Sequence, residues 1–166
     1  MTLRRAADGD IAFMMATERL PGYDWYVGQW DEATYREIMA DPREGFLVGL
    51  DAAGERCGFA IFRHNGDRSQ NLYLQRLAMV APGNGLGRPM MHALMAWVFG
   101  ETDTHRLWLH VKDGNDRAVH IYRNCGFTIE GRLREAFITP KGQRSDALMM
   151  SILRAEWPSV AASATT

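Results

Sequence analysis

Two apolar periods alternate along this chain. Leu3 to Arg5 starts a first strand, and Asp8 or Asp10 is placed to cap a helix carrying Ile11, Met14, Met15 and Glu18, closed by Pro21-Gly22. A second helix is expected from Asp31 to Met39, ended by Asp41-Pro42, since a residue before proline avoids the helical region. Gly45 to Leu50 and Arg56 to Arg63 read as strands around the turn Asp51-Ala52-Ala53-Gly54, and Asn71 to Val80 as a third. Leu86, Met90, Leu94 and Trp97 then recur at helical spacing, while Leu107, Leu109 and Val111 alternate as a strand. Ala118, Ile121, Tyr122 and Cys125 share one face of a short helix. Two last strands, Thr128 to Phe137 and Ala147 to Leu153, flank Pro140-Lys141-Gly142. The order β-α-α-β-β-β-α-β-α-β-β implies an α/β sheet of mixed direction covered by helices.

Composition narrows the function. The chain has 166 residues, 46% apolar and 23% charged, enough for one self-sufficient domain over residues 1–158 with a polar, disordered tail at 159–166. Nineteen basic against twenty acidic residues give a net charge of −1, which speaks against a general nucleic-acid or anionic-membrane binder. No apolar run follows Arg4-Arg5 to make a signal peptide, and the stretch around Leu94 to Phe99 is too short to span a bilayer. The two cysteines, Cys57 and Cys125, have no metal-ligand spacing, and no histidine pair has it either. Two reduced thiols, no metal and a cytoplasmic location are therefore expected.

Candidate chemistry begins at Val80-Ala81-Pro82-Gly83-Asn84-Gly85-Leu86-Gly87-Arg88, between an expected strand and an expected helix. Free amides and the positive dipole end at a helix start hold phosphate, and glycines let the backbone approach it closely. The spacing is neither a dinucleotide fingerprint nor a P-loop, since Met90 follows the glycines and no Gly-Lys-Ser/Thr is present.

Further on, Asn115, Ala118, Tyr122, Gly126 and Phe127 meet the pattern N-x-x-A-x-x-x-Y-x-x-x-G-F. Paired with the x-x-G-x-G-R turn upstream, the region from Leu72 to Trp157 closely resembles the GNAT superfamily of N-acetyltransferases. The segment L-W-L-x-V-x-x-x-N from Leu107 to Asn115 also resembles the bacterial ribosomal-protein alanine N-acetyltransferases. What the resemblance implies is a mixed, mostly antiparallel sheet splayed between its fourth and fifth strands, flanked by helices, with acetyl-CoA in the cleft. The pyrophosphate would rest on the amides from Gly83 through Asn84, Gly85, Leu86 and Gly87 to Arg88. Backbone groups of Leu77, Ala78 and Met79 would take the pantetheine arm, and Asn115 would hold it near the sulfur. Where the family usually has Gln or Arg, this chain has Pro82, and its turn is about two residues shorter.

Direct attack of an amine on the thioester in a ternary complex needs a neutral amine, oxyanion stabilisation and a proton for the leaving thiolate. Tyr122 matches the family's catalytic tyrosine, and a backbone N–H near Met79 would serve the oxyanion. The fourth strand offers Gln75 and Arg76 where many members carry a glutamate base. His110 stands where the ribosomal-protein enzymes have theirs, and a histidine there titrates near neutrality; a water chain is the alternative base.

The acceptor would enter beside the loop from Leu20 to Trp30, where Asp24, Trp25 and Tyr26, with Glu18 upstream, suit a cationic amine. Arg132, Arg134 and the Lys141 to Arg144 cluster of the last hairpin suit a carboxylate or phosphate instead. The acceptor, a small-molecule or peptide amine, and the choice between monomer and homodimer stay open. A non-catalytic acyl-CoA-binding regulatory module is the competing reading, and an NAD-binding oxidoreductase a more distant one.

Overall fold

The computed structural model describes residues 1–64 and 68–158. The expected tail at 159–166 lies outside them. The element order follows the pattern read above: β1 (Thr2–Arg5), α1 (Ile11–Glu18), α2 (Glu32–Met39), β2 (Gly45–Leu50), β3 (Arg56–His64), β4 (Asn71–Met79), α3 (Gly87–Glu101), β5 (Arg106–Lys112), α4 (Asp116–Asn124), β6 (Thr128–Ile138) and β7 (Arg144–Leu153). Capping explains several boundaries. The Asp31 carboxylate accepts the Thr34 N–H at the start of α2, and Asn115 Oδ1 accepts the Ala118 N–H at the start of α4. Asp10 does not cap α1 through its side chain; its carboxylate is taken by the Ala7 N–H, Arg4 and Arg56. Those charges hold the Asp10 carboxyl well below the ordinary carboxylate range.

All seven strands join one sheet in the order β1-β2-β3-β4-β5-β7-β6, antiparallel except where β4 meets β5. One face packs on α3 and α4. There Met90, Met91, Leu94, Met95 and Val98 are fully buried against Leu107, Leu109, Met150 and Ile152. The other face carries α1 and α2, with Met14 and Tyr35 buried on Phe59 and Ile61. Each such side chain stabilises the fold by about 1.5–3 kcal/mol through burial.

The central irregularity positions the site. β4 and β5 pair only from Asn71↔Arg106 to Tyr73↔Trp108. Beyond that point β4 stays laddered to β3 as far as Met79, and β5 to β7 as far as Lys112. The two half-sheets therefore diverge, leaving one edge of each strand without a partner. A bulge marks the divergence: Ile61 pairs with Arg76 and Phe62 with Leu74, so Gln75 is the extra residue on β4.

Candidate active site

The splay opens a cavity of about 510 Å³, wide enough for a drug-sized ligand, between the C-terminal ends of β4 and β5. At its rim, Gly83 and Gly85 adopt φ of +95° and +86°, a region that side chains other than glycine's rarely enter. Asn84 Oδ1 accepts the Leu86 N–H. Pro89, in the first turn of α3, has no N–H to offer. Among the described residues, the amides of Gly83, Gly85, Gly87 and Arg88 donate to no protein acceptor. Arg117 approaches the turn, its Nη1 lying 3.9 Å from the position a Gly83 Cβ would take. A diphosphate fits this cradle by charge and by donor supply.

The sequence expectation for this turn changes in two respects: Asn84 lines the cavity but gives its N–H to the Ala81 carbonyl, and Leu86 packs on the core under α3, does not line the cavity, and has already given its N–H to Asn84. Ala78 also falls outside. Its side chain is buried with α1 and α2, and it is laddered to Phe59 of β3. Strand alternation turns its neighbours the other way. Val80 N–H donates to Cys57 on β3, so the backbone groups of Met79 and Leu77 face the open edge, and both residues line the cavity.

Tyr23, from the α1–α2 loop, was not singled out from sequence. Its hydroxyl donates to the Met79 carbonyl at 2.9 Å and accepts from the Met79 N–H at 3.0 Å. Its only sequence signal was membership of an aromatic loop.

Tyr122 lines the cavity from α4, its ring packed on Phe127 at 5.7 Å between centroids, and its hydroxyl has no hydrogen-bond partner among the described residues. Burial pushes this phenol far above its usual range, so it is neutral and proton-bearing at physiological pH. Asn115, at the start of the same helix about two turns earlier, also lines the cavity. Because its side-chain oxygen caps α4, its amide nitrogen is the end left for a ligand.

His110 lines the opposite wall. On β5, residues 107, 109 and 111 are buried under α3 and α4, so Arg106, Trp108, His110 and Lys112 project from the other face. The His110 ring meets Trp108 edge-on and lies 6.1 Å from Phe137, and its Nδ1 is 3.4 Å from the Tyr73 hydroxyl. Burial lowers its pKa from 6.5, favouring the neutral ring.

Of the expected acceptor residues, Tyr26 lines the cavity and donates to the Gly114 carbonyl. Asp24 is exposed and Trp25 half-buried, and neither lines the cavity. Trp25 instead receives Lys112, whose Nζ donates to the Trp25 carbonyl at 2.7 Å and sits 4.4 Å from the ring centroid. Glu18 is withdrawn altogether. It is fully buried, 2.9 Å from Arg76, and accepts from the Tyr35 hydroxyl and the Trp30 N–H. Arg76 is itself buried, its guanidinium carbon 3.7 Å from the Trp30 ring centroid.

Known proteins match this architecture. The acetyltransferase (GNAT) family profile matches residues 13–127. A spermidine N(1)-acetyltransferase from Vibrio cholerae is 27% identical, over 95% of both chains. A mycothiol acetyltransferase from Salinispora tropica is 31% identical over 60% of this chain and 35% of its own length. The crystal structure of the Vibrio cholerae spermidine N-acetyltransferase with CoA and spermine superposes with a TM-score of 0.83 at 26% identity, covering 95% of this chain and 97% of that one.

The chain belongs to the acetyltransferase (GNAT) family. It is an acetyl-CoA-dependent N-acetyltransferase of mixed α/β fold. The finer likeness to ribosomal-protein acetyltransferases is not supported. Its apolar positions, Leu107, Leu109 and Val111, are buried strand positions that the core beneath α3 and α4 demands, so the likeness reports packing and not substrate. Among the described residues, no helix is long and apolar enough to cross a membrane.

Proposed function

We propose that the cavity transfers acetyl from acetyl-CoA to a primary amine by direct attack in a ternary complex. The supporting observation is the meeting of three groups on one cavity: the Met79 backbone edge, left without a strand partner by the splay and held by the Tyr23 hydroxyl, the neutral Tyr122 phenol, and the His110 imidazole. The free amides of Gly83, Gly85, Gly87 and Arg88, with Arg117, would hold the diphosphate. Asn115 and the cleft-facing edge of Leu77 would hold the arm that follows it.

In the transfer itself, the amine nitrogen bonds to the thioester carbonyl carbon, whose oxygen gains negative charge opposite the Met79 N–H. The C–S bond then breaks, and the departing thiolate takes the Tyr122 proton. In the tautomer that carries its proton on Nδ1, towards the Tyr73 oxygen 3.4 Å away, His110 would keep a lone pair on Nε2 to receive the proton lost by the amine. Gln75 replaces a carboxylate base on β4. Its side-chain oxygen is buried without a partner and the residue lines the cavity, so it would accept an N–H of the incoming amine.

Thiol release from acetyl-CoA with a panel of primary amines tests this reading. Amine-dependent release is expected. Tight acetyl-CoA binding without release by any amine would favour a binding module instead.

A further inference from the structure

Lys112 is a half-buried cation with no carboxylate within ion-pair distance among the described residues. Its neighbours are the Trp25 carbonyl and the rings of Trp25 and Phe137, the latter 5.2 Å away. Burial and the charge of Arg76 lower its pKa. It lines the cavity two residues beyond His110, on the β5 face opposite α3 and α4.

Asp24, next to Trp25, is exposed and does not line the cavity, and several other carboxylates nearby are already committed. Asp113 and Asp146 pair with Arg132, Glu130 pairs with Arg106 and accepts from Ser151, and Glu18 lies beneath Arg76. Among the described residues, no Asp or Glu lines the cavity, although Arg76, Arg88, Lys112 and Arg117 do. Arg76 has Glu18 as a partner, a carboxylate it shares with the exposed Arg19, and Arg88 and Arg117 sit at the glycine turn. Lys112 is the cation left over on the acceptor wall. The further ammonium groups of a polycation would meet the charge of Lys112 and no carboxylate among the described residues of the cavity wall, whereas an anion would complete the electrostatics.

Resting on the acetyl-transfer reading, we infer that Lys112 anchors an anionic group of the acceptor, so that the substrate is a primary amine bearing a carboxylate or a phosphate and not a polyamine. The amine would reach towards His110 and Gln75 while the anion docks on Lys112 between Trp25 and Phe137.

The test compares matched acceptors: phenylalanine with phenylalaninamide, O-phosphoethanolamine with ethanolamine, and spermidine. One anionic member is expected to exceed its neutral partner in kcat/KM by about tenfold or more, the scale of one charge-assisted hydrogen bond. The pair that responds tells carboxylate from phosphate. In Lys112→Met that preference should shrink to about twofold or less while KM for acetyl-CoA stays unchanged.

Preferred turnover of spermidine, an equal loss with neutral acceptors, or an effect confined to acetyl-CoA KM would overturn the inference while leaving acetyl transfer standing. Should no acceptor react, calorimetry on the CoA-bound protein still decides. Tighter binding of N-acetylphenylalanine or phosphoethanolamine than of the neutral counterpart, lost in Lys112→Met, supports it, and absence of that preference overturns it.

Discussion

The Tyr23 hydroxyl holds both backbone groups of Met79, donating to the carbonyl and accepting from the N–H, at the edge of β4 that the splay leaves open. These are the groups the thioester and its arm would need. Tyr23 thus occupies the groups that a bound thioester would take, and it ties the α1–α2 loop to the end of β4.

Tyr23→Phe should release the Met79 N–H at a stability cost of about 1 kcal/mol, the net value of a typical hydrogen bond. KM for acetyl-CoA is then expected to fall by about threefold, with kcat little changed. Steady-state kinetics with a single acceptor would show it. A raised KM with a lowered kcat would mean that the hydroxyl works in the reaction and not as a placeholder.

Glu18→Gln should be among the most destabilising single changes. It leaves the buried Arg76 guanidinium without its counter-charge, a loss of about 3–5 kcal/mol for breaking a buried pair. Thermal denaturation should fall by roughly 10 °C on the scaling for a domain of this size. Tyr35→Phe, which removes one hydrogen bond to the same carboxylate, should cost about 1 kcal/mol. A shift of only about 2 °C in Glu18→Gln would show that Arg76 is satisfied by other means.

Much of this arrangement was legible in the sequence, because local chemistry wrote it. The start of α2 at Asp31, the alternation of Leu107, Leu109 and Val111, and the glycine turn at Gly83 and Gly85 are set by neighbours within a few residues. The fate of Glu18 was not legible. It sits in a helix register that could face either solvent or core, and only the fold brings Arg76, 58 residues away, against it. The same holds for Tyr23 on Met79, 56 residues apart, and for Lys112 on Trp25, 87 apart. Asp24 and Trp25 looked like acceptor ligands by composition. The loop turns Tyr23 and Val27 inward and leaves Asp24 in solvent.

The pH dependence follows from His110. Burial holds its imidazole below 6.5, so the neutral form persists to lower pH than in the unfolded chain. The acidic limb of log kcat/KM should therefore lie below pH 6.5 and disappear in His110→Gln, where any residual rate comes through water. Stability carries the same sign. The unfolded chain binds this proton first, so the His110 contribution is present above pH 6.5 and is lost as pH falls through the depressed folded value. Denaturant unfolding of wild type and His110→Phe across that range would show the stability of wild type relative to the variant rising with pH and levelling off above pH 6.5.

The measurement closest to the central claim is thiol release from acetyl-CoA, with a saturating acceptor, in wild type and Tyr122→Phe. The phenylalanine ring keeps the packing on Phe127 and removes only the hydroxyl that faces the cavity. A fall in kcat of about tenfold or more, with KM for acetyl-CoA unchanged, is the expected result for a proton donor to the leaving thiolate. An unchanged kcat would remove Tyr122 from the transfer and contradict this account of the site.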